Sequence, residues 1–236
     1  MPAKAPARDT TGTQRQEAAA LARTYFRDLE LFEDGLLLPP SAAAAPQQRD
    51  MPGSLAEFEK AICACTRCPL GRTRTKFVFG VGNPHARIVF VGEAPGQEED
   101  LQGIPFVGRA GHLLDTMLAQ VGLDRRHVYI CNVLKCRPPG NRDPQPDEVA
   151  TCRPYLLTQM SLIKPSVLVC LGRHAAAVLL GTDAPMKDLR GRVLPWHGMQ
   201  VLITYHPAYY LRNASQQYLA EQDFRLMRRM YDESAA

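Results

Sequence analysis

The chain has 236 residues, 45% of them hydrophobic, and a formal net charge of +4. That is enough apolar material for one sizeable domain, but no apolar run reaches the ~20 residues of a membrane-spanning helix. The N-terminal stretch "MPAKAPARDTTGTQRQ" lacks the apolar centre of a secretory signal, which points to a cytoplasmic protein with no membrane association.

Residues 1–13 read as disordered, being small, polar and Pro-containing. In 14–33 Leu21, Tyr25, Leu29 and Phe32 recur every three or four residues, the period of an amphipathic helix. Residues 36–54 form a Pro/Ala linker. Together 1–53 make an N-terminal extension able to dock a protein partner, and the folded domain is expected over 54–236. The basic excess falls on that domain, and arginine outnumbers lysine by 22 to 6. Arginine's planar fork suits phosphate, so the balance is compatible with a polyanionic partner.

Within the domain, apolar strand-like runs occur at Arg87–Gly92, His127–Leu134, Ser166–Gly172 and Gln200–Tyr205. Helix-like runs lie between them, at Gly108–Val121, Asp147–Ile163 and Arg173–Leu180, and a last one covers Ser215–Tyr231. Alternation of this kind predicts an α/β fold: a mainly parallel sheet covered on both faces. Ligands of such sheets bind beyond the carboxyl ends of the strands, which here are "GEAPGQEED", "NVLKCRPPGNRDP", "GRH" and "YHPAYYL".

Seven cysteines in a cytosolic chain point to free thiols or metal ligands rather than disulfides. Cys65 and Cys68 form a C-x-x-C pair, and Cys136 and Cys152 form a looser pair 16 apart. Four thiolates suit zinc or an iron–sulfur cluster. A zinc ribbon has two tight knuckles and this chain has one, which favours a cluster. Cys63 offers a competing C-x-C register with Cys65. Cys131 and Cys170 fall inside strands and read as core.

At the strand ends, Gly92 and Gly96 allow close approach of a ligand to the backbone. Glu93 and Glu99 place carboxylates at that mouth, though a tight turn with solvated acids has the same sequence. Asn132 ends a strand and presents one donor and one acceptor, a pattern that reads a base edge. Phe106 is a flat apolar face, either a stacking platform or core. His206 ends the last strand before Pro207.

Together "GEAPGQEED", "GIPFVGRAG", "NVLKCRPPGNRDP" and "HPAYYLRN", with the two cysteine pairs, resemble the iron–sulfur (family 4) uracil-DNA glycosylases over about residues 60–230. The resemblance implies a three-layer αβα sandwich on a four-stranded, mainly parallel sheet. It implies a 4Fe–4S cluster held by Cys65, Cys68, Cys136 and Cys152. It also implies hydrolysis of the N-glycosidic bond of flipped uracil in single- or double-stranded DNA, by a monomer. Uracil would stack on Phe106 and pair with the Asn132 amide, beside Gly92 and the backbone of Glu93–Ala94, while His206 donates to O2. Glu93, Glu99 and Asn141 are the candidates to position water or stabilise the sugar cation. A related family has Asp where Ala94 stands. Arg142, Tyr210, Leu211 and Arg212 would contact DNA, as would Arg137 and the basic run 67–76. Two other readings stay open. One is a protein that traps its product covalently through a histidine; "MKDLRGRVLPWHG" shows no inserted basic loop, but His197 lies there. The other is a zinc-bound nucleic-acid module without catalysis.

Overall fold

A computed structural model describes residues 52–234. The expected segments at 1–13 and 14–33, and the linker up to residue 51, lie outside the described residues. The chain enters at α1 (Leu55–Ile62), which Ser54 caps by accepting a hydrogen bond from the Glu57 amide at 3.2 Å. The short helix α2 (Leu70–Thr73) follows the first cysteine pair.

Six strands form one sheet: β1 (Val81–Gly82), β2 (Ile88–Gly92), β3 (Tyr129–Asn132), β4 (Val167–Leu171), β5 (Val193–Trp196) and β6 (Met199–Thr204), in the order β1-β3-β2-β4-β6-β5. The four strands legible in the sequence are the four parallel ones, β3-β2-β4-β6. They are nearly continuous apolar runs because both faces are covered; every residue of β2, β3 and β4 is buried. The sheet is wider than the four strands expected, because β1 and β5 add antiparallel edges. Neither edge gives a strand signal. β1 has two residues, and β5 contains Pro195, which edge strands tolerate.

Side-chain alternation divides the core. Ile88, Phe90, Ile130, Val169 and Leu202 face one way, onto α4 (Arg109–Gln120) and α9 (Gln217–Glu233) through Leu114, Leu118, Phe224 and Met227. The other face is covered by α5 (Pro146–Ile163) and α6 (Arg173–Leu180), which gives three layers. A satellite core of Phe58, Ile62 and Phe79 packs against Tyr155 of α5, next to the first cysteine pair. Among the described residues no helix is long and apolar enough to cross a membrane.

The register brings the strand ends level. Gly92 pairs with Asn132, and Leu171 with Thr204. The segments that follow these strands therefore gather at one rim. They continue into α3 (Gln97–Gln102) after β2, α6 after β4, itself followed by the short α7 (Met186–Leu189), and α8 (Pro207–Arg212) after β6.

Candidate active site

Asn132 is 2% exposed, and its Oδ1 is a buried acceptor with no hydrogen-bond partner among the described residues. Leaving such an atom unpaired costs about 1–3 kcal/mol, so a site of this kind is poised for a donor from a ligand. Gly92 creates the space beside it. A Cβ on Gly92 would overlap Asn132 Oδ1 and stand 2.6 Å from Phe106 Cζ.

Phe106 closes the other side. Its backbone is left-handed, with φ of 54°, a conformation that needs outside support in a bulky residue. Arg125 supplies it. One guanidinium nitrogen donates to the Pro105 carbonyl at 3.0 Å, another donates to the Phe106 carbonyl, and Nε pairs with Asp115 at 2.7 Å. Gly111 leaves room for the Phe106 carbonyl, which a Cβ there would overlap. The Phe106 ring lies 5.5 Å from that of His206.

His206 is the N-cap of α8, and its Nδ1 accepts from the Ala208 amide at 3.1 Å. In the neutral ring the proton must then sit on Nε2, which becomes a donor. Burial lowers the imidazole to about 4, and the charge of Arg212 adds to this against the opposing pull of Glu99. His206 is thus a neutral donor at physiological pH.

The carboxylates after β2 differ in their surroundings. Glu99 is fully engaged: Oε2 accepts from Gly96 at 3.1 Å, and Oε1 accepts from Val107 and Gly108 at 2.9 Å each. It staples the turn after β2 to the loop carrying Phe106. Glu93 is half-buried, and its Oε2 meets Nδ1 of His174 at 2.5 Å. His174 opens α6 just past Gly172, and its Nε2 lies 3.5 Å from Asp143 and 3.3 Å from Arg173. Ala94 is half-buried beside Glu93. Asn141 is exposed, with φ of 57°, and its Oδ1 accepts from Arg137 Nε at 2.8 Å.

Several expected DNA contacts take other places. Tyr210 is fully buried in the main core, with its hydroxyl 3.4 Å from Thr204, so its expected place as a surface contact is corrected. The resemblance placed Tyr210 at the DNA surface, but the turn of α8 points this ring inward. Arg142 is exposed and grips the buried Glu148 through two bonds of 2.9 and 2.6 Å, which holds that carboxyl below its usual value. Leu211 and Arg212 do reach the surface. His197 sits in the turn between β5 and β6, with φ of 45° and its ring 4.5 Å from Trp196.

The four cysteines of the two pairs come together. Cys136 feels the charges of Cys68 and Cys65, and Cys152 those of Cys136 and Cys68. Donors surround them. Arg74 reaches the Cys136 sulfur at 3.2 Å, the Lys135 amide reaches Cys152 at 3.4 Å, and the Tyr155 hydroxyl reaches Cys65 at 3.2 Å. Burial pushes the Cys136 thiol up, and that of Cys152 up to about 11. Cys131 and Cys170 are buried in strands, and Cys63 is exposed.

Sequence reasoning missed Arg125, His174, Asp143 and Lys135, and it placed Arg74 only within the basic run 67–76 expected on DNA, whereas the side chain turns to Cys136. His174 had a signal, since "GRH" follows a strand. Lys135 is wholly buried, its Nζ bonded to the Asn132 carbonyl at 2.8 Å and to Gln159 at 2.5 Å. Only its neighbours in "NVLKC" hinted at this.

A three-layer αβα fold with a flat ring, an orphan amide and a neutral imidazole at the rim of its parallel strands defines a binding site for a planar, polar heterocycle. Comparison with known proteins narrows the class. A family model described as the uracil DNA glycosylase superfamily matches residues 79–231. The chain is 48% identical over 180 residues to a type-4 uracil-DNA glycosylase of Archaeoglobus fulgidus, covering 73% of this chain and 90% of the relative. The type-4 enzyme of Thermotoga maritima is 51% identical over 153 residues, 64% and 80% of the two chains. That of Sulfurisphaera tokodaii is 42% identical over 186 residues, 75% and 84%. The chain belongs to the uracil DNA glycosylase superfamily.

Proposed function

We propose that this protein is a type-4 uracil-DNA glycosylase: a hydrolase that cleaves the N-glycosidic bond of uracil in DNA, releasing free uracil and leaving an abasic site for base excision repair. The observation that carries the reading is the unpartnered Oδ1 of Asn132, buried beside Phe106 and Gly92. Uracil offers a donor at N3 and an acceptor at O4, which an amide matches with two hydrogen bonds. Cytosine has an acceptor at N3 and would leave Oδ1 unpaired, so the orphan atom discriminates between the two bases.

The target base has to leave the stack to be reached. It lies against Phe106, with its N3 edge on Asn132. The C1′–N1 bond breaks heterolytically. The bonding pair passes to the uracil ring and O2, and the sugar becomes oxocarbenium-like. His206, neutral and with its proton on Nε2, donates to the developing charge at O2. The attacking water forms the new C1′–O bond and gives its proton to solvent, from which the departing uracil anion takes one at N1. Of the three candidates for positioning water or stabilising the cation, Glu93 has a carboxylate oxygen, Oε1, that is not engaged by the described residues. Glu99 is tied to three backbone amides, and Asn141 to Arg137. Glu93 is therefore assigned the carboxylate role, and Glu99 the positioning of Phe106. Arg212 and Leu211 are the surface contacts to DNA, Leu211 filling the gap left by the flipped base.

Cys65, Cys68, Cys136 and Cys152 would hold a 4Fe–4S cluster, supported by the four thiols and the donors that surround them. When bound, the cluster is a structural tie between the 65–74 segment, the loop after β3 and α5. The protein acts as a monomer on single- or double-stranded uracil-DNA in the cytoplasm, and residues 1–53 offer a docking segment for a protein partner. The test uses matched oligonucleotides carrying one central uracil, cytosine or thymine. Only the uracil strand is expected to gain an alkali-labile site and release free base; equal cleavage of cytosine would overturn the role of Asn132.

A further inference from the structure

We infer that His174 is a positioning residue for Glu93, acting with Asp143 as a carboxylate–imidazole–carboxylate array at the ends of β2 and β4. The inference rests on the assignment of Glu93 above. β2 and β4 are hydrogen-bonded neighbours, so Glu93, one residue past β2, and His174, in the first turn of α6, face each other across one strand spacing. Their 2.5 Å contact is a hydrogen bond in which Nδ1 donates to Oε2. Ligand atoms of Glu93, Asp143 and His174 lie within 4.8 Å of one another, but donors bound at about 2.0–2.2 Å to one ion sit about 3 Å or more apart, so the direct Nδ1–Oε2 contact leaves no place for an ion between those two atoms.

The bond orients Glu93: it fixes the rotamer by occupying one oxygen and leaving Oε1 for water. The far ring nitrogen is flanked by groups of opposite effect. Arg173 at 3.3 Å donates to a neutral Nε2, while Asp143 at 3.5 Å accepts from a protonated one. Asp143, Arg173 and Glu93 are the charged groups that face the ring. In either state Nδ1 keeps its proton and its bond to Glu93.

The experiment is a double-mutant cycle on the full chain, with kcat and KM measured on a uracil oligonucleotide. H174A is expected to lower kcat about 10- to 100-fold, as for a lost hydrogen bond to a charged group, with KM within about twofold. H174N, whose amide reproduces the Nδ1 donor, is expected to recover most of that loss. In an E93Q background H174A is expected to cost less than about threefold more, because its partner is already gone. Full multiplicative loss in the double variant, or normal kcat in H174A beside an impaired E93Q, would overturn the role of His174. Normal kcat in E93Q would overturn the assignment of Glu93 itself. A melting curve for each variant separates loss of folding from loss of kcat, and H174N carries the test if H174A unfolds.

Discussion

The side-chain oxygen of Asn132 packs against the bare Cα of Gly92, in the space a methyl group would fill. Strand pairing puts the two residues directly opposite each other, so neither can retreat without breaking the ladder. Gly92→Ala is therefore expected to lower uracil excision at least 100-fold while destabilising the fold by only about 1–3 kcal/mol, as overpacking does. Paired measurement of kcat/KM and chemical denaturation checks this. Retained activity in a well-folded Gly92→Ala protein would refute the pocket geometry.

Asn132→Ala removes the recognition pair without adding bulk. The expected cost is about 2–3 kcal/mol in the transition state, roughly 30- to 150-fold in kcat/KM. Steady-state kinetics on the uracil oligonucleotide gives the number, and near-normal activity would refute the assignment.

Arg125 holds Phe106 in its left-handed conformation through two carbonyls and is itself held by Asp115. Arg125→Lys loses the fork that makes these bonds together. Both Arg125→Lys and Arg125→Ala are expected to raise KM and lower kcat, since the stacking face loosens, and to lower stability by about 1–3 kcal/mol. If Arg125→Lys matched the parent in both constants, the clamp would have no part in the site.

His206 makes stability depend on pH. Its folded value of about 4 lies below the ordinary 6.5, because of burial first and the charge of Arg212 second. Between those values the unfolded chain binds a proton that the folded chain does not. Stability from the neutral ring is fully present above pH 6.5 and is lost as pH falls toward 4, by up to about 3 kcal/mol. Denaturation at pH 7 and 4.5 should show a larger acid loss in the parent than in His206→Gln. Equal losses would contradict the lowered value.

The cysteines divide into two groups by position. Serine at Cys65, Cys68, Cys136 or Cys152 is expected to strip the protein of iron and of its visible absorbance. Serine at Cys63 or at the strand cysteine Cys170 should leave both unchanged. Metal analysis checks this, and a native protein loaded with zinc alone would contradict the cluster.

Much of this was legible in the sequence, for identifiable reasons. The four parallel strands are buried on both faces and so read as unbroken apolar runs, and the rim segments follow from where those runs stop. The edge strands were not legible, because one is two residues long and the other contains Pro195. Single residues fared by how locally their surroundings are set. Asn132 ends β3 and His206 follows β6 by two residues, so the strands set where both lie. Tyr210 was misplaced, because only the turn of α8 decides which of two adjacent tyrosines enters the core. Glu93 and Glu99 looked alike in "GEAPGQEED". Their difference lies in partners far along the chain, His174 for one and the Val107–Gly108 amides for the other. Arg125 left no mark, since its targets are backbone carbonyls.

The measurement that reaches furthest is turnover of a labelled oligonucleotide with one central uracil, in large excess over the protein, followed by hot alkali and a denaturing gel. The expected result is many cleavage events per protein molecule at the uracil position, with no retarded band. Reaction that stops near one equivalent, with a protein–DNA band surviving denaturation, would contradict hydrolysis and point to a covalent trap.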